Sequence, residues 1–121
     1  MKVAISCQGQ DATGALDPRF GRAAGFIIHD TDSGEQSYLS NDENMALSQG
    51  AGIQAAMHVS SAGAQAVITG HVGPKAFQAL AKGNIAVYLA PQGGTVAQAL
   101  DEFDRGNLAQ AEAPNVEGHW G

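Results

Sequence analysis

The sequence predicts an α/β fold, a partly parallel sheet with helices packed on both faces. Three observations carry that prediction. Residues 2–8 are small, apolar or β-branched with little polar interruption, as in a central strand buried on both faces. After residue 50, short apolar runs alternate with helix-length segments, the pattern of successive βα units. Between these parts, Asp32-Ser33-Gly34 is a tight turn that joins two strand-like runs into a hairpin.

Taken in order, the first strand leads into a long connection, from Gln8-Gly9-Gln10 through Asp17-Pro18-Arg19-Phe20-Gly21-Arg22. Ordered connections of that length in a compact domain are often functional. Residues 24–31 read as a second strand and 35–40 as the third, and Asn41 to Gln49 is polar and turn-rich. A helix is expected from about Gly50 to Ala62, with Ile53, Ala56, Met57 and Ser60 on its inner stripe and Gly63 as its stop. His58 lies off that stripe and reads as a surface or partly packed histidine. A strand over 65–70, a helix over 74–82 closed by Gly83 and a strand over 84–90 follow. Pro91-Gln92-Gly93-Gly94-Thr95 leads into a last helix at about 95–105, with Thr95 as N-cap and Val96, Ala99, Leu100 and Phe103 facing inward. After Gly106 the periodicity is lost. The single domain is therefore placed at residues 1–110, with 111–121 as a tail; its His119-Trp120 pair either touches a site or partner or belongs to a frayed end.

Composition bounds the function. At 121 residues the chain is long enough for one core and not for two. No run of about 18 apolar residues is present, so no membrane span is expected. The opening Met1-Lys2-Val3-Ala4-Ile5-Ser6 is too short for a signal peptide. A single cysteine excludes an internal disulfide and suits a reducing compartment, which makes the cytoplasm the expected location. The net charge is −6, and 6 Lys and Arg in all leave no basic stripe for a nucleic-acid duplex. Half of those cations, Arg19, Arg22 and Lys75, fall in loops that the topology brings together.

Right-handed crossovers make strands 1, 4 and 5 parallel, and ligands of such sheets sit beyond the carboxyl ends of the parallel strands. Those ends are Cys7-Gln8-Gly9, Thr69-Gly70-His71 and Pro91-Gln92-Gly93-Gly94, and the later two run into helix starts. In the middle one an apolar run ends at Thr69, a glycine turn follows, and Pro74 suits a first helical turn because it lacks the N–H that would go unpaired there. The open amides of a helix start carry partial positive charge and Lys75 adds a full one. His71 can donate a hydrogen bond or bind a soft metal. Strand, glycine turn and cation-bearing helix start together make a seat for an anion. Three cations and two helix starts amount to a gross attraction on the order of 5–10 kcal/mol before ordering costs, which suits reversible binding. Gly50-Ala51-Gly52, by contrast, lacks the spacing of a phosphate-binding glycine loop.

Four motifs occur in order: Asp17-Pro18-Arg19-Phe20-Gly21-Arg22-Ala23, the Gly50-Ala51-Gly52 helix start, Gly70-His71-Val72-Gly73-Pro74-Lys75-Ala76 and Gly94-Thr95-Val96. Together they resemble the dinitrogenase iron–molybdenum cofactor biosynthesis family, the nitrogenase cofactor carriers and their relatives, from residue 2 to about 110. The resemblance implies a ribonuclease H-like three-layer fold with a five-stranded mixed sheet, order 3-2-1-4-5, strand 2 antiparallel. It implies a non-catalytic carrier for an anionic molybdenum-containing metal–sulfide cluster, of Fe–Mo or Mo–Cu type. Small stand-alone members from sulfate-reducing bacteria hold a mixed molybdenum–copper sulfide without covalent attachment.

The implied cofactor-binding residues are Arg19, Phe20, Gly21, Arg22, His71, Gly73, Lys75, Gly93, Gly94 and Thr95. Arg19 and Arg22 would neutralise cluster charge, and Gly21 would let the backbone approach closely. Phe20 would be an apolar wall or simply core. His71 would donate to sulfide, ligate copper or cap a turn. Lys75, the amides near Gly73 and the Gly93-Gly94-Thr95 helix start would add donors. Cys7 is either a soft ligand for Cu(I) or plain core. The chain departs from the family pattern at Arg19, where some nitrogenase carriers have a histidine. Arginine does not ligate a metal, but its planar fork holds an anionic sulfide by charge. The departure counts against the nitrogenase cofactor itself and leaves the anion carrier intact.

Rival classes lack their chemistry. Two-metal nucleases need clustered carboxylates, one of them on the first strand, and Val3-Ala4-Ile5-Ser6-Cys7 carries none. No nucleophile elbow, Walker sequence or paired acids at a mouth point to an enzyme, and Asp17, Asp30 and Asp32 read as turn residues. A metal-free regulatory or scaffold domain acting through protein contacts stays open as the alternative. For a carrier, the expected protein partners are a donor and an acceptor of the cluster.

Overall fold

In the computed structural model, which describes residues 1–45, 47 and 50–114, strand β1 (Lys2–Cys7) is the middle of the sheet. Its Val3, Ile5 and Cys7 side chains enter one apolar core and Ala4 the other, the two-sided burial that its composition predicts. It pairs antiparallel with β2 (Gly25–Asp30) and parallel with β4 (Ala64–Thr69). β2 turns back into β3 (Gln36–Ser40), and β4 is joined in parallel by β5 (Ala86–Leu89). Helices α2 (Ala51–Ser61) and α3 (Pro74–Lys82) cover one face, packing Ala55, Ala56, Val59, Ala76 and Leu80 on Phe26, Val67 and Val87. Helix α4 (Val96–Asp104) covers the other, with Val96, Ala99 and Leu100 against Val3, Ile5 and Ile68. A one-turn helix α1 (Asp42–Met45) lies in the stretch expected to be turn.

The sheet has six strands, not five: a short β6 (Ala109–Gln110) pairs antiparallel with β5, and the order is β3-β2-β1-β4-β5-β6. Two residues are too few to show a period of 2, which is why the pattern after Gly106 reads as structureless. The pairing reaches Ala111, whose amide donates to the Val87 carbonyl at 2.8 Å, so the chain is still tied to the domain one residue into the expected tail. The His119-Trp120 pair lies outside the described residues.

The inner stripe of α2 also needs correcting. Gly52, Ala55, Ala56 and Val59 are buried, whereas Met57 is 56% exposed, Ser60 is exposed and Ile53 half-buried. Large side chains dominate a hydrophobicity pattern, but this helix is seated closely by small ones. Gly63 does stop it, at φ +89°, while after α3 the left-handed position is Asn84 (φ +57°) and not Gly83. Thr95 caps α4 in a reciprocal box with Gln98. No described helix is long and apolar enough to cross a membrane.

The sixth strand is open to a direct check. In hydrogen exchange the Ala111 amide is expected to be protected relative to an unstructured chain, and exchange at the unstructured rate would remove β6 and restore a five-stranded sheet.

Candidate functional site

β1, β4 and β5 run parallel, so Cys7, Thr69 and Leu89 end at one rim of the sheet. The connection after β1 does not loop away from that rim. It lies across it as a strap, its backbone hydrogen-bonded at several points. Gln8 N–H donates to Ala15 (3.0 Å), Leu16 N–H to Gly94 (2.9 Å) and Asp17 N–H to Ser6 (2.9 Å). Farther on, His71 N–H donates to the Pro18 carbonyl at 2.6 Å and Phe20 N–H to the His71 carbonyl at 3.2 Å, so residues 18–20 run parallel to the His71 turn. Gly70 permits that approach: a Cβ there would stand 3.0 Å from Pro18 backbone atoms.

A buried polar knot sets the strap's height above the sheet. Ser6 and Thr69 are fully buried and Asp17 is 2% exposed. The Ser6 hydroxyl donates to the Asp17 carbonyl at 2.6 Å; having only one proton, it must accept at its other contact, 2.8 Å from the Thr69 hydroxyl. The Asp17 carboxylate turns back on its own strap, accepting from the Arg19 amide (2.9 Å) and from Arg19 Nε (3.4 Å). Asp17 is thus more than the turn residue its sequence position predicts: it is also the group that orients the Arg19 guanidinium. A second anchor, Asn41, was missed altogether. It is fully buried, and its side-chain amide donates to Gly21 (3.1 Å) and Ala23 (2.9 Å) while its oxygen accepts from Asn44 (2.9 Å). The Asp-Pro-Arg spacing is a recognisable Asx-turn signal, whereas Asn41 shows locally only its bond to Asn44 at the start of α1, and the carbonyls that make it an anchor lie 18 and 20 residues away.

Of the expected site residues, Arg19 and His71 are neighbours through the bridge between their segments. Lys75 is exposed in the first turn of α3, four residues beyond His71. Arg22 is half-buried on the same strap and its guanidinium donates to the Leu47 carbonyl, tying the strap to the segment after α1. Gly73 is the α3 N-cap, in extended backbone, with no side-chain cap among the described residues.

Other expected residues are placed differently. Phe20 is wholly buried and packs on Phe26, ring centroids 5.3 Å apart, so it is core and offers no wall to a ligand. Gly21 is buried, and its carbonyl serves Asn41. The α4 start is closed by the chain itself. Val96 N–H donates to Gly14 (3.0 Å), Ala97 N–H to Ala12 (2.9 Å) and Gln98 N–H to the Thr95 hydroxyl (3.2 Å). The amides expected to greet an anion from Gly93-Gly94-Thr95 are therefore largely spent on the strap and the cap. Cys7 has no exposed surface and its thiol donates to the Gly9 carbonyl at 3.1 Å. Burial first, and the Asp17 charge second, push its pKa up to about 11. A soft-metal ligand must be a thiolate, and this thiol is held protonated. His58 is exposed on α2, 3.4 Å from the Asn44 amide, in keeping with a surface histidine. Among the described residues no three His, Cys, Asp or Glu side chains gather to hold a metal ion.

Comparison with known proteins returns one family. Residues 1–106 match the dinitrogenase iron-molybdenum cofactor family. The apo form of the orange protein from Desulfovibrio gigas has a similar structure, with a TM-score of 0.92 and 43% identity over 95% of this chain and 96% of that one. A Thermotoga protein of the DUF35 family, solved by NMR, is similar with a TM-score of 0.85 and 34% identity, covering 97% and 98% of the two chains. An uncharacterized protein of Methanocaldococcus jannaschii is 32% identical over 92 residues, 74% of this chain and 75% of its own.

Two outcomes follow from the anchors. Asn41→Ala strands buried carbonyls under the strap and is expected to lower unfolding free energy by about 2–3 kcal/mol in a denaturant titration; a loss under about 0.5 kcal/mol would mean water replaces the amide at no cost. For Cys7, the unfolded thiol ionises near its ordinary value of 9.0 and the folded one only near about 11. Its contribution to stability is thus whole below pH 9 and is lost as pH rises toward 11. The wild-type stability minus that of Cys7→Ala should fall over that window, and the native thiol should resist alkylation at neutral pH until the protein is unfolded.

Proposed function

The chain belongs to the dinitrogenase iron–molybdenum cofactor family, and from that premise we propose that it is a carrier that holds an anionic metal–sulfide cluster reversibly against the strap. The observation that carries the reading is the stitching of Pro18 and Phe20 to His71, which puts Arg19 and the α3 start with Lys75 on one rim of the sheet. Arg19 and Lys75 supply charge and charge-assisted donors, the amides after Gly73 supply dipoles, and His71 donates to a cluster sulfide. Arg22 adds charge from the strap while holding it to Leu47. Charge and hydrogen bonds of this kind suit a preassembled cluster, which brings its own sulfide ligands and needs few from the protein.

Of the two cargoes, a molybdenum–copper sulfide is favoured over an iron–molybdenum cofactor. Arginine at position 19 recognises an anion and does not ligate a metal. The carrier reading is preferred to a nuclease on a ribonuclease H-like sheet because β1 bears no carboxylate. It makes the protein a non-enzyme whose partners are the cluster and the proteins that give and take it, acting in the cytoplasm.

Anaerobically purified protein is expected to contain molybdenum, or, when colourless, to develop a visible chromophore on addition of thiomolybdate with copper. Arg19→Glu and Lys75→Glu should each weaken uptake at least about tenfold, which corresponds to about 1.4 kcal/mol, within the range of a charge-assisted hydrogen bond. Binding should also weaken with added salt. Protein that stays colourless and metal-free under both conditions would leave the metal-free regulatory or scaffold domain as the surviving account.

A further inference from the structure

A hollow of about 280 Å³ opens beside α4 on the same rim, bordered by Gly93, Gly94 and Thr95, and the cluster seat proposed above at Arg19, His71 and Lys75 does not include it. Leu16, Ala90, Ala99 and Leu108 give it an apolar lining, and Glu102 supplies a carboxylate. That carboxylate is held in place, accepting from the Asn107 side-chain amide at 3.1 Å. No lysine or arginine is among its described lining residues. On the same helix Asp104 is exposed, while Asp101 is already paired with Arg105 at 3.1 Å. Glu102 is thus the one charged residue among the described lining residues of the hollow, in contrast to Arg19 and Lys75 nearby. The hollow is also slightly smaller than the usual range of small-molecule pockets.

An apolar trough with one fixed carboxylate matches a side chain that is apolar along its stem and positive at its end. Lysine and arginine are built that way. We propose that the hollow is the docking point for a basic segment of a partner protein, its lysine or arginine stem covering Leu16, Ala99 and Leu108 and its cation meeting Glu102. The overall charge of −6 draws such a segment in from a distance. Leu16 belongs to the strap, with its amide on the Gly94 carbonyl, three residues before Arg19. A chain docked there stands next to the cluster seat, and its identity as a cluster donor or acceptor rests on the carrier reading above; the docking itself does not.

The test uses cluster-free, ¹⁵N-labelled protein, titrated with the peptide acetyl-Ala-Lys-Leu-Arg-Ala-amide and with a counterpart carrying Glu at both basic positions. Saturable shift changes are expected at the amides of Leu16, Gly93, Gly94, Glu102 and Leu108 with the basic peptide and not with the acidic one. Glu102→Gln keeps an acceptor for Asn107 and removes only the charge, and it should weaken binding at least about fivefold. Changes spread over the whole acidic surface, no saturation, or equal affinity in Glu102→Gln would overturn the proposal. Because no cluster is present, failure here leaves the carrier reading standing, and failure of the chromophore experiment leaves the docking site standing.

Discussion

The backbone pairing of Pro18 and Phe20 with His71 is the constraint on which the rim depends. Residues 8–17 are held to the rim by their own bonds to Ser6, Gly94 and the α4 start, but without this pairing residues 18–20, and Arg19 with them, would not be seated against the His71 turn. With it, the β1–β2 connection becomes an extra layer across the ends of the parallel strands. The close approach requires glycine at position 70, where any Cβ meets Pro18. It also requires the hydroxyls of Ser6 and Thr69 under the strap, since the polar atoms that face the sheet there would otherwise be buried without partners.

The strap treats the two helix starts at this rim differently. At α4 it supplies the Gly14 and Ala12 carbonyls that the first amides need, and Thr95 and Gln98 complete the cap. At α3 it stops short, pairing with His71 ahead of the helix and leaving Gly73 without a side-chain cap among the described residues. The α4 start is thereby made structural, while the α3 start lacks an equivalent closure by the strap. Asp17 adds a further division of labour: its buried carboxylate partly offsets the Arg19 charge but fixes where the guanidinium points. A preorganised cation loses less entropy on binding than a free one.

Much of this was legible in the residues. The strand and helix order, the parallel trio and the shared rim follow from periodicity, glycine placement and the handedness of crossovers. The capping role of Thr95 follows from its place before an apolar repeat. What escaped the reading depends on contacts distant in sequence. Asn41 is an anchor only because Gly21 and Ala23 come to it. Phe20 looks like a site residue beside two arginines, yet the pairing on either side of it turns its ring into the core. The α4 start looks open from its glycines because the carbonyls that close it come from Ala12 and Gly14, more than 80 residues earlier. The β6 pairing and the alanine stripe of α2 were obscured for a simpler reason: both are too short or too small to leave a strong pattern.

The protein's charge makes sense in the same terms. The chain carries a net charge of −6, yet Arg19 and Lys75 stand on one rim of it, local cations within a negative envelope. At physiological salt the screening length is about 8 Å, so an anion feels the local field only once it is close, while the envelope limits non-specific association with other acidic molecules. On the carrier reading proposed above, loading an anionic cluster would make the complex more negative still. Any partner selected by charge must then be basic where it touches, and Glu102 with Asp104 stand on the helix that borders the rim. On that reading, the loaded form would therefore dock more tightly than the empty one at a basic surface, and by reciprocity a basic partner would strengthen cluster retention until the cluster is passed on.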